Sequence, residues 1–393
     1  MQIGLRWIIH SAGVLAFAVL GSVQPAFAQV AGFETRASSL YVRDLSTGMV
    51  LMEKAADVPL PPASMSKLMT LLMLFEALED DRMSLDTEFS VSERAHAMGG
   101  SRMFLETRDR PTAEDLIRGI AVLSGNDATV VVAEGLAGTE EAFAQLATRR
   151  ARELGMRNTT IANSSGWPDP DHLMSKRDLG ILAEHIITEY PQYYTYLSER
   201  EFTWNGITQP NRVPLLGAGI GLDGLKTGFT SAAGYSLTGS ARQGDRRIIF
   251  AFGGLSSERE RVQEAEAIIN WAFRQFAKVN VGEAGDVMET AAVWLGNEAT
   301  VPLVLAEDAD ILVPAIGPRD IQGRVVYDSP LPAPIAAGDA LGSLIIEIPE
   351  LGETRVPLVA GADVAEGGFA VRAQASAQRL FNMVLGSARD AMN

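Results

Sequence analysis

Residues 64–78 carry apolar side chains nearly all the way round a helix: Leu68, Met69, Leu71, Leu72, Met73, Leu74 and Phe75 leave no polar face. A helix of that kind is buried rather than set on a surface. Pro61 and Pro62 mark its start, because proline suits the first turn of a helix and breaks the interior. Inside this run Ser64 and Lys67 stand three residues apart, which places both on one helix face. A serine and a lysine in such surroundings need a reason.

Elements of both kinds surround the helix. Residues 39–54 read as a β-hairpin about Ser46-Thr47-Gly48, and 112 to about 190 as mostly helical, broken by the turn-rich NSSGWPDPDH at 163–172. Residues 222–254 return to strands about a turn at Gln243-Gly244-Asp245, and a helix from about Glu258 to Lys278 follows. This order predicts an α/β domain over 29–280 whose sheet is assembled from both ends of the segment. From Val281, short runs such as TVPLVLA and SLIIEIP, separated by Gly, Pro and Asp, predict a small all-β domain over 281–365. Residues 366–393 read as an amphipathic helix, with Ala373, Ala377, Leu380, Val384 and Ala388 on one stripe and Arg372, Arg379 and Arg389 opposite. That pattern suits either peripheral contact with a membrane surface or docking on the protein's own surface.

The first 28 residues read as a secretory signal peptide: Arg6, an apolar stretch from Trp7 to Leu20, and a small-residue cleavage site at Ala26-Phe27-Ala28. Export to a periplasm or cell surface is therefore expected. The chain has no cysteine, which excludes disulfides, thiolate chemistry and cysteine–zinc sites. Its formal charge of −16 argues against nucleic acid as a partner.

Three short motifs carry the chemistry: Ser64-Met65-Ser66-Lys67, Ser124-Gly125-Asn126 and Lys226-Thr227-Gly228. Serine is a weak nucleophile until a neighbour takes its proton, and lysine can do so only with its pKa lowered by burial or a nearby cation. The apolar helix offers burial to Lys67, and Lys226 is a candidate cation. Taken alone, Ser64 could equally be a helix cap and Lys67 a solvated lysine. In the second motif Gly125 is expected to turn the backbone tightly, presenting the Ser124 hydroxyl and the Asn126 amide together. Alternatively the motif is a polar helix break. The third reads as an edge strand: an extended peptide could pair with its backbone, Gly228 permits close approach, and Lys226, Thr227 and Thr230 can take a carboxylate. No G-x-S-x-G, H-E-x-x-H, P-loop or G-x-G-x-x-G competes with this reading.

The order S-x-x-K, S-x-N, K-T-G is the signature of penicillin-binding proteins and serine β-lactamases. Together with LIRGIAVLSGNDA, NSSGWPDPDH, SKRDL and LDGLKTGFTSAAGYSLTGSA, it resembles the serine-type D-alanyl-D-alanine carboxypeptidases, the low-molecular-mass penicillin-binding proteins, over essentially the whole mature chain. The resemblance implies a β-lactamase/transpeptidase-like α/β domain, with an antiparallel sheet, helices on both faces and a helical subdomain, followed by the all-β domain and the amphipathic helix. It implies that Ser64 attacks the carbonyl between the two terminal D-alanines of a peptidoglycan stem peptide, with Lys67 as base. Ser124 and Asn126 would relay protons and position the substrate. Lys226, Thr227 and Thr230 would hold the terminal carboxylate, and Arg261 falls where similar proteins carry a carboxylate-binding arginine. The backbone N–H groups of Ser64 and Phe229 would form the oxyanion hole, with Gly228 giving access. β-Lactam antibiotics are the implied inhibitors, and no metal or organic cofactor is implied. Phe229 departs from the histidine that some members place after K-T-G. A D,D-endopeptidase, a β-lactamase and a non-catalytic peptidoglycan-binding scaffold are the alternatives.

Overall fold

The computed structural model describes residues 33–316, 321–348 and 351–369, with 371 and 373. The expected signal peptide and nearly all of the expected C-terminal helix lie outside them. The chain passes from one compact unit to a second between Arg274 and Gln275, and we place the domain boundary there.

In the first unit β1 (Ser39–Asp44) and β2 (Val50–Lys54) form the hairpin, and a small separate hairpin follows as β3 (Glu201–Trp204) and β4 (Ile207–Pro210). Strands β5 (Leu222–Thr230), β6 (Gly234–Gln243) and β7 (Arg246–Leu255) then complete an antiparallel sheet of order β2-β1-β7-β6-β5. The N-terminal strand lies beside the last one, with Leu40 opposite Phe252 and Val42 opposite Phe250. Gly239 stands opposite Phe250 because a Cβ there would lie 2.4 Å from the phenyl ring. β5 is left as an edge, open on one side.

The helices are α1 (Lys67–Glu79), α2 (Glu93–His96), α3 (Ala113–Ala121), α4 (Asn126–Ala137), α5 (Glu140–Glu153), α6 (Lys176–Glu189), α7 (Pro191–Tyr194) and α8 (Glu258–Arg274). Side-chain caps set several starts: Ser92, Thr139 and Ser175 each accept from a backbone N–H three residues on, and Thr112 with Asp115 makes a reciprocal capping box. Leu68, Leu71, Leu72, Leu74 and Phe75 of α1 are fully buried in one cluster with Ile117 and Ile120 of α3, Val130 and Val131 of α4, Phe143 of α5 and Leu179 of α6. The all-round apolar pattern of α1 is thus explained by neighbours on every side. Across the sheet Arg246 pairs with the fully buried Asp44 at 2.9 Å and donates to the Ala272 carbonyl of α8 at 3.1 Å.

The helix expected to reach Lys278 stops at Arg274. Residues 276–280 instead form β8 (Phe276–Asn280), which pairs with another strand inside the second unit. The remaining strands are β9 (Val287–Trp294), β10 (Thr300–Leu305), β11 (Asp310–Pro314), β12 (Gln322–Tyr327), β13 (Leu331–Pro332), β14 (Ala340–Ile348) and β15 (Gly352–Ala360). They make a sheet of order β12-β14-β15-β10-β9-β13 and the separate pair β8–β11 around Leu303, Ile311, Leu344, Ile346 and Leu358. The described residues of 281–365 are all-β, as the sequence leads one to expect.

One core residue carries a testable cost. Lys176, at the first position of α6, turns inward against β7, where a Cβ on Gly253 would meet its Cε at 3.0 Å. Burial pushes its ammonium down from 10.5 to about 8. The unfolded chain therefore binds this proton more tightly than the folded one, so the penalty is complete below pH 8 and fades as pH rises towards 10.4. A shift of that size corresponds to roughly 3 kcal/mol. Lys176→Met is expected to raise stability by about that amount at pH 7 and by little at pH 10, measured by urea unfolding. A loss of stability at pH 7 would contradict this.

Candidate active site

The turn that carries Ser64 is built first. Ala63–Ser66 forms a single 3₁₀ turn closed by Ser66 Oγ donating to the Ala63 carbonyl at 3.1 Å, and α1 begins at the next residue. Ser64 therefore sits in the turn immediately ahead of the helix. Lys67, fully buried, brings Nζ to 2.8 Å from Ser64 Oγ and also donates to the Ser165 carbonyl. Three-residue spacing on one face produces this contact, and the carbonyl holds the amine in place.

The second motif sits beside it. Ser124 adopts φ +61°, a left-handed conformation uncommon for a residue with a Cβ. The turn thus falls on Ser124 and not, as expected, on Gly125, whose φ is −60°. Glycine is needed at 125 for closeness: a Cβ would lie 2.9 Å from Asp127 Oδ1 and 3.2 Å from the Gly119 carbonyl. Lys226 Nζ donates to Ser124 Oγ at 2.8 Å, giving a second lysine–serine pair next to the first. Asn126 opens α4, and its amide donates to the Gly99 carbonyl at 2.7 Å.

Both amines are driven towards neutrality. Burial holds Lys67 well below its ordinary value, the charge of Lys226 lowers it further, and Asp127 opposes them. Burial pushes Lys226 down to about 7, helped by the guanidinium groups of Arg261 and Arg212. A neutral lysine within hydrogen-bond reach of a serine hydroxyl is a competent general base.

On β5, Gly228 faces the Ala63–Ser66 turn, where a Cβ would meet the Pro62 carbonyl at 2.9 Å and the Ala63 Cβ at 3.2 Å. Thr227 is buried opposite Leu237. Phe229 is 54% exposed, and its ring packs at a tilt against Tyr235 directly across the ladder, with centroids 4.3 Å apart. Arg261, from the first half of α8, is buried with its guanidinium 5.5 Å over the Tyr235 ring and paired to Glu258 at 2.7 Å. Its charge reaches Lys226. Thr230 stands apart. It lies four residues along the strand from Lys226, a span of about 13 Å. Its hydroxyl accepts from the Ala233 N–H at 3.0 Å.

The loop 163–167 is what the motifs left out. Asn163 Oδ1 accepts the N–H groups of Ser165, Gly166 and Trp167, folding the loop so that the Ser165 carbonyl faces Lys67. The buried carboxylate of Glu140 grips Ser164 through its N–H at 2.9 Å and its hydroxyl at 2.6 Å, and Thr70 of α1 donates to the Ser164 carbonyl at 2.7 Å. An Asn-Ser-Ser-Gly turn signal was present in the sequence, but nothing local says which carbonyl it delivers.

An α/β domain with a buried lysine amine, held well below its ordinary pKa, on a serine hydroxyl, with a second lysine–serine pair and an open edge strand, defines a serine acyl-transfer enzyme of the S-x-x-K class. Residues 24–253 match the family model for D-alanyl-D-alanine carboxypeptidase, and residues 276–366 match the C-terminal domain of penicillin-binding protein 5. The chain is 34% identical to the D-alanyl-D-alanine carboxypeptidase DacC of Escherichia coli, across 83% of this chain and 84% of that one. It is 32% identical to DacF of Bacillus subtilis, across 86% and 87%. The crystal structure of penicillin-binding protein 5 from Haemophilus influenzae matches 86% of this chain and all of that one, with a TM-score of 0.79 and 31% identity. The chain belongs to the D-alanyl-D-alanine carboxypeptidase family, serine-type peptidases of the low-molecular-mass penicillin-binding proteins.

Proposed function

We propose that this enzyme removes the terminal D-alanine from peptidoglycan stem pentapeptides through an acyl-enzyme on Ser64. The observation that carries the reading is the 2.8 Å contact between Lys67 Nζ and Ser64 Oγ in a buried setting. Lys67 takes the hydroxyl proton as Ser64 Oγ bonds to the carbonyl carbon between the two D-alanines. The oxyanion lies between the backbone N–H groups of Ser64 and Phe229, β5 being an edge strand. The proton taken up by Lys67 is relayed through Ser124, itself held by Lys226, to the departing nitrogen, the C–N bond breaks, and D-alanine leaves. Water then cleaves the ester and restores Ser64. Lys226, Thr227 and Arg261 supply the positive and hydroxyl groups for the terminal carboxylate, and Asn126 orients the substrate amide.

β-Lactams acylate the same serine in this reading. Penicillin-binding protein D2 from Listeria monocytogenes has been solved with ampicillin and with cefotaxime bound, at 29% identity to this chain. The N-terminal sequence supports export to the periplasm, and the C-terminal arginines and apolar stripe support peripheral contact with the membrane. Among the described residues no helix is long and apolar enough to cross a membrane.

D-Alanine release from Nα,Nε-diacetyl-Lys-D-Ala-D-Ala is the test. Release at a rate that falls at least a thousandfold in Ser64→Ala is expected. Cleavage of cross-linked dimers without release from the tripeptide would favour the endopeptidase, and rapid turnover of penicillin a β-lactamase.

A further inference from the structure

Asp127 follows the Ser124-Gly125-Asn126 motif directly, is 1% exposed, and carries no step of the chemistry above. Its carboxylate accepts backbone N–H groups. Oδ1 takes those of Met103 at 2.9 Å and Ala128 at 3.0 Å, and Oδ2 takes that of Leu105 at 3.1 Å. Asn126 continues the seam: its N–H donates to the Ser101 carbonyl at 2.8 Å, and its amide to the Gly99 carbonyl at 2.7 Å. Segment 99–105 is thereby stitched to the start of α4. The join is tight, since a Cβ on Gly100 would lie 2.8 Å from Asn126 Nδ2, and one on Gly125 3.2 Å from the Met103 nitrogen.

Two residues with side chains are left-handed on either side of this seam, Ser124 at φ +61° and Phe104 at φ +66°. Such conformations persist only where the surrounding structure over-determines them. Phe104 lies between the two residues whose N–H groups the carboxylate takes, and its side chain is turned outward, 43% exposed. Ser124 lies three residues before Asp127 and accepts from Lys226. The charge of Asp127 also reaches the base. Lys67 is faced by Lys226 from β5, Asp127 from α4, Ser64 from the preceding turn, and His172 with the Ser165 carbonyl from the 163–172 loop. Lys226 disfavours its ammonium, and burial leaves His172 neutral. Among these groups Asp127 is the anion.

We propose that Asp127 is a positioning residue for acylation: its backbone acceptances set the Ser124–Asn126 turn against segment 99–105, and its negative charge is the counterweight to Lys226 at Lys67. It touches no substrate and acts through the residues that do. The inference rests on the reading above, in which Lys67 is the base for Ser64.

The test is the pH profile of acylation by benzylpenicillin in the wild type and in Asp127→Asn. The substitution keeps the shape and the acceptor for Met103 and Ala128, but sets a donor against the Leu105 N–H. In the wild type the rate should fall on the acid side as Lys67 takes a proton. Without the opposite charge that ammonium is less favourable, so in Asp127→Asn the acid limb should move to lower pH by about one unit. On the plateau the variant should be about ten- to a hundredfold slower, the range for a displacement of up to about 1 Å. The ratio of variant to wild-type rate therefore rises as pH falls, a trend that damage to the fold does not produce. Amide hydrogen exchange gives a second reading. In the wild type Met103 and Leu105 should be protected, although 99–105 is neither helix nor strand. Leu105 should exchange faster in Asp127→Asn, and if that variant does not fold, exchange in the wild type decides. Parallel profiles, or unprotected Met103 and Leu105 amides in the wild type, would overturn the inference and leave the carboxypeptidase reading standing. No acylation of the wild type at any pH would overturn that reading, and the inference with it.

Discussion

Lys67→Met is expected to slow acylation by benzylpenicillin, and D-alanine release with it, by about 10²–10⁴-fold, the range for loss of a positioned general base. Each factor of ten corresponds to about 1.4 kcal/mol at the barrier. The fold should survive. Lys67 is fully buried and its ammonium disfavoured there, so an apolar chain of similar length relieves a desolvation cost. The substitution also strips the Ser165 carbonyl of its donor, at about 1–3 kcal/mol, which offsets much of that relief. A melting temperature within a few degrees of wild type, together with the lost rate, separates a chemical role from a structural one. Acylation within tenfold of wild type would show that another group activates Ser64.

Gly166→Ala should damage both stability and rate. Gly166 has φ +78°, and a Cβ there would fall 2.0 Å from the Ala63 carbonyl oxygen and 2.7 Å from Ser66 Oγ. The first neighbour is backbone, so relief requires the loop and the Ala63–Ser66 turn to separate. A left-handed alanine costs about 1–2 kcal/mol and forced repacking about 1–3 more. At about 2–4 °C per kcal/mol for a unit of this size, a drop of roughly 10 °C in Tm is expected. The same separation moves Ser64 on one side and the Ser165 carbonyl on the other. A misplacement of about 1 Å is worth about a hundredfold in rate. Scanning calorimetry and stopped-flow acylation check the two effects, and a variant with wild-type rate would show that this contact does not set the Ser64–Lys67 geometry.

What the sequence revealed of the site was what is local. Ser64 and Lys67 meet because i and i+3 share a face, and Lys226, Gly228 and Thr230 share a face because a strand alternates. The burial of Lys67 was legible in the leucines around it. The Ser165 carbonyl, 98 residues away, and the Glu140 clamp were not, since ordinary turn and helix residues reach them only through tertiary packing. The left-handed turn at Ser124 was hidden by its neighbour, where glycine serves close approach instead. At the start of the second unit, residues 276–278 were read as helix because they follow a helical pattern without a break. Their pairing with β11 overrides that local preference.

The central claim is that one hydroxyl becomes bound to substrate. Intact-protein mass spectrometry after brief exposure to benzylpenicillin, followed by peptide mapping, tests it most directly. A single adduct confined to the peptide containing Ser64, absent from Ser64→Ala, is the result this account requires. An adduct on another residue, or one that persists in Ser64→Ala, would contradict it.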